Sequence, residues 1–477
     1  MLSLHRWLDE GDQHPTRTLV RASLTLRAVT SLLLLLLGSL LPSFETDAAT
    51  LSHPVASWAR PFVRWDSVHF VNVALDGYTT EQQTAFMPGL PTVMRAGGEA
   101  LHWLLRRRGP VEGDEVVLAG LLATTFATTA AALCLHRLTL TLIPPRPRHA
   151  LLTALLFLFA PSRPTLHGVP YTEPFAALFT FGGMLLFSRG HDVSAAAAWA
   201  AGSAFRAQGA LLGVGFFGWR YMLRRSFDGR KSSGEVLKRL AVNLPRFGLL
   251  SLLSAAPFLA FQVYVYSLYC PSPTTGISRP WCTQGLGLSY GWVQREYWDV
   301  GPFRYWTFLQ LPNFVLTAPV LALSLAASSS FYTRNAHAVL RSTLPFLPLS
   351  LLPTPAPAPP AAAAAAAADE RPLTAPASPR VVDALVPHVH LHTATTLLLV
   401  VSAHVQIALR VCATGPVVWW YAAELVERGM ARGRGGEGEG GGGGSDAAAR
   451  AGRAWVRYVE VWGVVATALW AVFLPPA

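Results

Sequence analysis

A polar stretch between two apolar segments decides how this chain is organised: residues 62–91 read FVRWDSVHFVNVALDGYTTEQQTAFMPGLP. The apolar run 28–41 precedes it, lengthened by Leu24 and Leu26, and a second apolar segment follows at about 116–143. A helix needs roughly 20 predominantly apolar residues to cross a bilayer, and flanking arginines can snorkel to extend a shorter run. We therefore predict that residues 62–91 lie outside the membrane, in a loop between the first two membrane helices.

The composition extends this prediction to the whole chain. Of 477 residues, 52% are hydrophobic and 14% are charged, whereas about 25% of an average soluble domain is charged. Further apolar segments lie near residues 150–168, 172–188, 194–218, 240–268, 311–330, 338–353, 394–413 and 456–474. We predict an all-α polytopic membrane protein, with residues 1–477 forming a single multi-span membrane domain.

Charge sets the expected orientation. The leader 1–27 is basic and precedes the first apolar run, which places the N-terminus in the cytosol and residues 44–115 in a first lumenal loop. A cleaved signal peptide is the alternative, because the run is short and Ala48 and Ala49 resemble a cleavage site. The long charged leader favours an uncleaved helix. The net charge of +11 is explained by such membrane positioning, and no nucleic-acid motif accompanies it.

A second basic block constrains the number of spans. It consists of Arg220, Arg224, Arg225, Arg230 and Lys231. If every apolar segment crossed the membrane once, this block would be lumenal, which the positive-inside tendency disfavours. One segment is therefore not a simple span, and the candidates are 150–168, which contains two prolines, and 194–218, which contains Arg206 and Gln208. Removing one of them makes 270–305 lumenal, beside the first loop.

Two further features concern loops. Residues 353–380 and 428–452 are of low complexity, and we predict that both are disordered linkers. Cys270 and Cys282 flank a polar loop and would be able to form a disulfide if that loop is lumenal; the sequence leaves their state open.

Asp66 is the leading catalytic candidate. A carboxylate just beyond a membrane helix, beside Trp65 and three residues before His69, lies where a base can meet a substrate that enters from the bilayer. The alternative is structural: Asp66 caps a short interfacial helix and Trp65 belongs to the aromatic belt.

Glu173 and Arg206 are the second pair of candidates. Glu173 begins an apolar helix, where it either complements the helix dipole or binds sugar hydroxyls. An arginine in an apolar helix costs about 2.5–3.5 kcal/mol on insertion scales, so Arg206 is expected to face a cavity, an ion-pair partner or the interface. It is a candidate for holding an anionic phosphate.

Two aromatic and polar clusters follow. Residues 290–313, YGWVQREYWDVGPFRYWTFLQLPN, suit an interfacial amphipathic helix that either anchors the chain or stacks on sugars, and they include Arg304. A cluster of His404, Gln406 and Arg410 repeats this theme. The sequence contains no metalloprotease, phosphate-loop or DxD pattern, so we expect no metal site.

Several of these stretches resemble one known family, the PIG-V type mannosyltransferases, which carry out the second mannose transfer of glycosylphosphatidylinositol (GPI) anchor biosynthesis. The resemblance rests on RWDSVHFVNVALDGY with AFMPGLP, PYTEPFAALFTFGG, FRAQG, REYWDVGPFRYWTFLQLPNF and HVQIALR before PVVWWYAAEL, in the same order along most of the chain. FRAQG departs from the expected arginine-serine-asparagine-glycine at 207–208, and Thr172 replaces a usual serine.

The resemblance implies a GT-C-type glycosyltransferase with lumenal loops and interfacial helices in the endoplasmic reticulum membrane. The donor would be dolichol-phosphate-mannose, the acceptor the first mannose of the GPI precursor and the linkage α1,6, with inversion and without a cofactor. It assigns the catalytic base to Asp66. We further predict substrate contacts from Trp65, His69, Glu173, Arg206 and Arg304, and we expect Arg64, Arg206 or Arg304 to offset the charge of the leaving phosphate.

The need for a small accessory membrane subunit is left open by the sequence. The alternatives to this function are another lumenal dolichol-phosphate-mannose-dependent mannosyltransferase and a membrane transporter, for which Arg206 and broken helices would line the path.

Overall fold

The structure, a computed structural model, describes residues 2–43, 50–143, 146–227, 232–270, 279–346, 379–434 and 443–472. Within these ranges the chain is helical and contains no strand. The helices are α1 Leu2–Gly11, α2 Pro15–Leu40, α3 Asp66–Asp76, α4 Gly89–Leu104, α5 Gly113–Leu142, α6 Pro147–Leu158, α7 Glu173–Ser188, α8 Asp192–Phe205, α9 Gly209–Phe217, α10 Arg225–Phe227, α11 Ser233–Tyr269, α12 Ser289–Trp298, α13 Leu311–Arg334, α14 Ala336–Thr343, α15 Pro379–Ser402, α16 Ala408–Val411, α17 Pro416–Arg434 and α18 Gly443–Ala471.

Shorter helical turns connect these helices. They are 3-10 turns at Arg60–Phe62, Glu81–Ala85, Pro280–Cys282, Phe308–Gln310, Val405–Ile407 and Cys412–Thr414, and π-helical turns at Pro164–Gly168 and Gly218–Arg224. Five helical segments in the described ranges are long and apolar enough to cross a membrane: Pro15–Leu40, Gly113–Leu142, Ser233–Tyr269, Phe308–Arg334 and Pro379–Ser402. The prediction of an all-α polytopic membrane protein is confirmed.

The first apolar helix belongs to the folded bundle. Helix α2 packs against α5, α6 and the C-terminal helix α18. Its side chains Leu19, Leu26 and Leu34 are buried in these contacts. This packing favours the uncleaved first helix over the signal-peptide alternative.

The segment 194–218 is a helical hairpin, which resolves the span count. Helices α8 and α9 run antiparallel: Trp199 stacks on Phe216 with ring centroids 5.1 Å apart, and Arg220, after α9, pairs with Asp192 at the start of α8. The tight reversal needs Gly209, because a Cβ there would lie 2.5 Å from the Ser203 backbone nitrogen. The chain therefore returns to the end where α8 began.

This hairpin brings Arg220, Arg224 and Arg225 of the second basic block to the same end of the bundle as the N-terminal helix; Arg230 and Lys231 lie outside the described ranges. Arg220 also donates to the carbonyl oxygen of Phe187 near the end of α7. Arg148, at the start of α6, pairs with Asp9 of α1 at 3.3 Å. Of the two candidate segments, 194–218 is the one that is not a simple span, whereas 150–168 continues from α6 through the π-helical turn at Pro164–Gly168.

The opposite end of the bundle, called the loop end below, carries residues 62–91 together with residues 279–305. Trp281 Nε1 donates to Glu81 Oε1 at 2.7 Å, and the Tyr297 hydroxyl donates to Glu81 Oε2 at 3.0 Å. Cys270 and Cys282 form a disulfide. The prediction that these two regions share one side is confirmed, and the open question about the cysteines is answered.

Both predicted linkers overlap helices at their ends. The predicted linker 428–452 is too long, because α17 continues to Arg434 and α18 begins at Gly443; residues 435–442 lie outside the described ranges. Glycine here permits close helix packing, since a Cβ at Gly452 would lie 2.1 Å from the Leu425 carbonyl oxygen. Of the other linker, 353–378 lie outside the described ranges and α15 begins at Pro379.

Two predicted apolar segments also differ from the helices. The described part of the segment 338–353 overlaps the eight-residue α14, which begins at Ala336, ends at Thr343 and is too short to span; residues 347–353 lie outside the described ranges. The segment 394–413 combines the end of α15 with the separate turns that follow Ser402. The first half of α15 was not predicted, because polar residues such as His388 and His392 make this part of the sequence less apolar. Both side chains are nevertheless buried between helices.

Candidate active site

Asp66 is the first residue of α3, at the loop end of the bundle. Its backbone N–H donates to the Tyr171 hydroxyl at 3.1 Å, and the Ser67 hydroxyl donates to the Pro170 carbonyl oxygen at 3.2 Å. Trp65, directly before it, has φ 52° and ψ −129°, a conformation that favours glycine. Such a conformation persists only where surrounding contacts enforce it, so these contacts hold the Asp66 carboxylate in place.

A chain of ion pairs begins at this carboxylate. Arg410 donates through Nη2 to Asp66 Oδ2 at 2.9 Å and through Nε to Glu173 Oε1 at 2.6 Å. Arg206 donates through Nη1 to the same Glu173 oxygen at 2.7 Å. Two carboxylates and two guanidinium groups thus alternate in the order Asp66, Arg410, Glu173, Arg206.

The burial of this chain is uneven. The Glu173 side chain is 1% exposed, whereas those of Arg410, Arg206 and Asp66 are 13%, 18% and 28% exposed. Glu173 Oε2 is buried without a hydrogen-bond partner among the described residues. The Arg410 guanidinium also lies over the Tyr171 ring, 4.7 Å from its centroid. Asp66 is therefore the member of the chain that is most accessible to a substrate.

A cavity of about 720 Å³ lies beside these charges. Its polar and aromatic wall residues come from both loop regions and from the helix termini; among them are Trp65, Asp66, Arg206, Gln208, Tyr290, Gln294, Trp298, His404, Gln406 and Arg410. A substrate with an anionic group and many hydroxyl groups suits such a wall, because guanidinium groups bind anions and amides bind hydroxyls. The described residues include no group of three or more His, Cys, Asp or Glu side chains that would hold a metal ion.

Only some of the predicted substrate-binding residues line the cavity. Trp65 and Arg206 line the cavity, and Glu173 lies behind Arg206. His69 is packed on Phe86 with ring centroids 4.8 Å apart, and burial lowers its pKa although the Asp66 charge opposes the shift. Arg304 is half exposed, pairs with Asp299 at 2.8 Å and does not line the cavity. The substrate-binding roles of these residues stay predictions.

The sequence indicates that Arg410 belongs to a polar cluster but does not connect it with Asp66. It lies 344 positions from Asp66, so no local pattern joins the two. One signal was available: Arg410 lies in an apolar segment, and the cost of an arginine there is the argument that singled out Arg206. Gln208, one of the two residues that depart from the family motif at 207–208, lies in the cavity wall. Its side-chain amide donates to the Thr414 hydroxyl at 3.2 Å.

A helical membrane protein with a carboxylate and arginines around a polar cavity at one bundle end fits the class of membrane-embedded enzymes that act on lipid-linked substrates. The family model for Mannosyltransferase (PIG-V) matches residues 18–477. The chain belongs to this family and is a multi-pass membrane mannosyltransferase. The family resemblance is thereby confirmed, and the transporter alternative is contradicted.

Curated relatives agree with this assignment. GPI mannosyltransferase 2 of Cryptococcus neoformans is 35% identical over 450 residues, covering 92% of this chain and 94% of the relative. GPI alpha-1,6-mannosyltransferase 2 of Cricetulus griseus is 30% identical, covering 86% of this chain and 84% of the relative. The Homo sapiens protein of the same name is 27% identical, covering 87% and 85%.

A solved structure shows a looser likeness. It is the apo oligosaccharyltransferase of Archaeoglobus fulgidus, with a TM-score of 0.44 and 10% identity. The match covers 95% of this chain, which spans only 56% of that chain. At this level the comparison does not decide the fold family, and the GT-C-type architecture stays a prediction.

Proposed function

We propose that this protein transfers mannose in α1,6 linkage from dolichol-phosphate-mannose to the first mannose of the GPI-anchor precursor, on the lumenal side of the endoplasmic reticulum membrane. The names of the relatives support GPI mannosylation and the α1,6 linkage. The observation that carries the chemistry is the Asp66 carboxylate, which lines the cavity and is held 2.9 Å from Arg410.

The reaction is a single displacement with inversion. Asp66 takes the proton of the acceptor's primary hydroxyl while that oxygen bonds to the anomeric carbon of the donor mannose. The bond from this carbon to the phosphate oxygen breaks, and dolichyl phosphate leaves with the bonding electron pair. Inverting hydrolases need a second carboxylic acid to protonate their leaving group. A phosphate leaves as an anion, so one base suffices where cations offset the growing charge.

The positions of the predicted arginines decide which of them can offset the charge of the leaving phosphate. Arg206 lines the cavity and suits this role, whereas Arg304 lies outside the wall. Arg64, a third cation that the sequence suggests, is buried and is absent from the cavity wall. Trp65 shapes the cavity beside the base, and His69 supports the loop through Phe86.

A transfer assay tests the proposal. The purified chain in lipid nanodiscs is given labelled dolichol-phosphate-mannose and a GPI precursor with one mannose, and the linkage of the product is determined. Activity of the chain alone would also show that no accessory subunit is required. Transfer only to a protein or to a dolichol-linked oligosaccharide would overturn the proposed acceptor. No transfer from this donor to any acceptor, either by the purified chain or by membranes of cells that express it, would overturn the proposed function.

The catalytic base is tested by a matched pair of variants on α3. Asp66→Asn keeps the size of the side chain and loses the base, so we expect kcat to fall by about 10²–10⁴-fold. Asp76→Asn makes the same change at the other end of the helix, where Asp76 pairs with His53 at 2.7 Å, and should leave kcat within about threefold. Wild-type transfer by folded Asp66→Asn protein would exclude Asp66 as the base.

A further inference from the structure

One oxygen atom joins the two arginines of the site. Glu173 Oε1 accepts hydrogen bonds from Arg206 Nη1 and from Arg410 Nε. Like charges held this close repel each other, and one carboxylate balances only one of them. Asp66 balances the second through Arg410 at 2.9 Å. The four groups together are therefore neutral, while their two cations lie side by side.

The arginines retain donors for a further anion. Arg206 makes no hydrogen bond through Nε or Nη2 within the described part of the chain. Both arginines line the cavity of about 720 Å³. A planar guanidinium binds phosphate through two parallel hydrogen bonds, so two adjacent guanidinium groups match one phosphate group well.

We propose that Arg206 and Arg410 together form the subsite for the phosphate of the dolichol-linked donor, and that Glu173 is the positioning residue that holds them side by side. This inference rests on the proposed function. It also changes the predicted role of Glu173. Its oxygen Oε1 accepts hydrogen bonds from both arginines, and the residue is absent from the cavity wall. Glu173 therefore acts by positioning the two arginines and does not bind the sugar.

The order of the charges assigns the phosphate to the donor. In an inverting displacement the base and the leaving oxygen lie on opposite sides of the reacting carbon, and the catalytic carboxyl groups of inverting hydrolases lie about 6.5–9.5 Å apart for a comparable reason. Arg206 is separated from Asp66 by Glu173 and Arg410, so it stands at the leaving-group end. Arg410 contacts both Asp66 and Glu173, which links the phosphate subsite to the base.

The acceptor is also a phospholipid, so the test has two arms. The first measures equilibrium binding of labelled dolichyl phosphate, with unphosphorylated dolichol as the reference ligand. The second measures binding of the mono-mannosylated GPI precursor. Both use full-length protein in detergent micelles without any transfer reaction, so the binding result does not depend on activity.

We expect wild-type protein to bind dolichyl phosphate at least about tenfold more tightly than dolichol, and Arg206→Gln or Arg410→Gln to lose about tenfold or more of that preference. Arg206→Lys and Arg410→Lys keep the charge without the planar fork and should lose part of it while remaining folded. Arg6→Gln is the matched control, because Arg6 pairs with Glu10 at 2.8 Å on the exposed side of α1 at the opposite end, and should lose none.

Glu173 is tested by the same ratio of affinities. Glu173→Gln should reduce the preference for dolichyl phosphate over dolichol, and Glu173→Asp should restore part of it, whereas a purely structural role would leave the ratio unchanged in the protein that remains folded. An unchanged ratio in folded arginine variants would overturn the subsite, as would an arginine dependence confined to the GPI precursor. Arginine-dependent binding of dolichyl phosphate by a protein that transfers no mannose would overturn the proposed function and leave the subsite standing.

Discussion

Replacing Glu173 by glutamine removes the charge between two arginines without changing the size of the side chain. In the wild-type protein Glu173 Oε1 lies 2.7 Å from Arg206 Nη1 and 2.6 Å from Arg410 Nε. Asp66 remains as a counter-ion for Arg410 in the variant, but Arg206 loses the one carboxylate that it contacts within the described ranges. We therefore expect a loss of stability that originates in the arginines.

The size of the loss follows from burial. Removing one partner of a buried ion pair costs about 3–5 kcal/mol, because the other charge stays buried without compensation. Arg206 and Arg410 are 18% and 13% exposed, so some water reaches them and the lower figure applies. A cost of about 3 kcal/mol changes the unfolding equilibrium by about 150-fold.

The measurement is thermal unfolding in detergent micelles, followed by tryptophan fluorescence, for wild-type protein, Glu173→Gln and Glu235→Gln. The last variant is a matched control: Glu235 pairs with Arg239 at 3.1 Å on α11 but is 39% exposed, and a surface pair of this kind contributes about 0–1 kcal/mol. A large decrease in melting temperature is expected for Glu173→Gln alone. Equal melting temperatures for the two variants would refute the argument.

Three further predictions concern the loop end. Trp65 has φ 52°, so Trp65→Gly should be more stable than Trp65→Ala by about 1 kcal/mol; equal melting temperatures of the two would contradict the strain. Burial lowers the folded-state pKa of His69, so below about pH 6.5 the unfolded chain binds a proton that the folded chain does not, and stability falls as the pH falls. The variant His69→Phe should therefore lose less stability than wild type between about pH 7 and 5; parallel pH profiles would refute this. Cys282→Ser opens the disulfide to Cys270, 12 positions away, and should lower stability by about 3 kcal/mol. Reductant should lower the melting temperature of wild type to that of the variant, and a wild type indifferent to reductant would contradict the prediction.

The sequence alone identified those site residues whose charge is energetically costly in or beside an apolar segment. Asp66 stands out as an acid beside an apolar segment, and Arg206 as a cation within one. The structure brings both to one cavity, with Glu173 behind them. Arg410 met the same criterion, yet only its contact with Asp66, 344 positions earlier, distinguishes it from an arginine that anchors a helix.

The failures in the fold have a common cause. Hydropathy averages over a window, so it left 150–168 and 194–218 as equal candidates for the segment that is not a simple span, and only the packing of Trp199 on Phe216 located the reversal in 194–218. The glycine-rich tract at 428–452 resembled a linker, because composition does not reveal that Gly452 packs against Leu425. Conversely, Arg304 lay in a motif rich in aromatic residues and yet points to Asp299 outside the cavity wall.

The sequence by itself determined that the chain is a helical membrane protein, that its N-terminal leader and the arginines that follow residue 218 lie at the same end, and which family it belongs to. These properties depend on the transfer of individual segments from water to lipid and on motifs along the chain, and both are local. The tertiary structure alone decided that Asp66, Arg410, Glu173 and Arg206 form one alternating chain of charges. Ion pairs depend on distances of a few ångströms between residues on different helices, and only packing sets those distances.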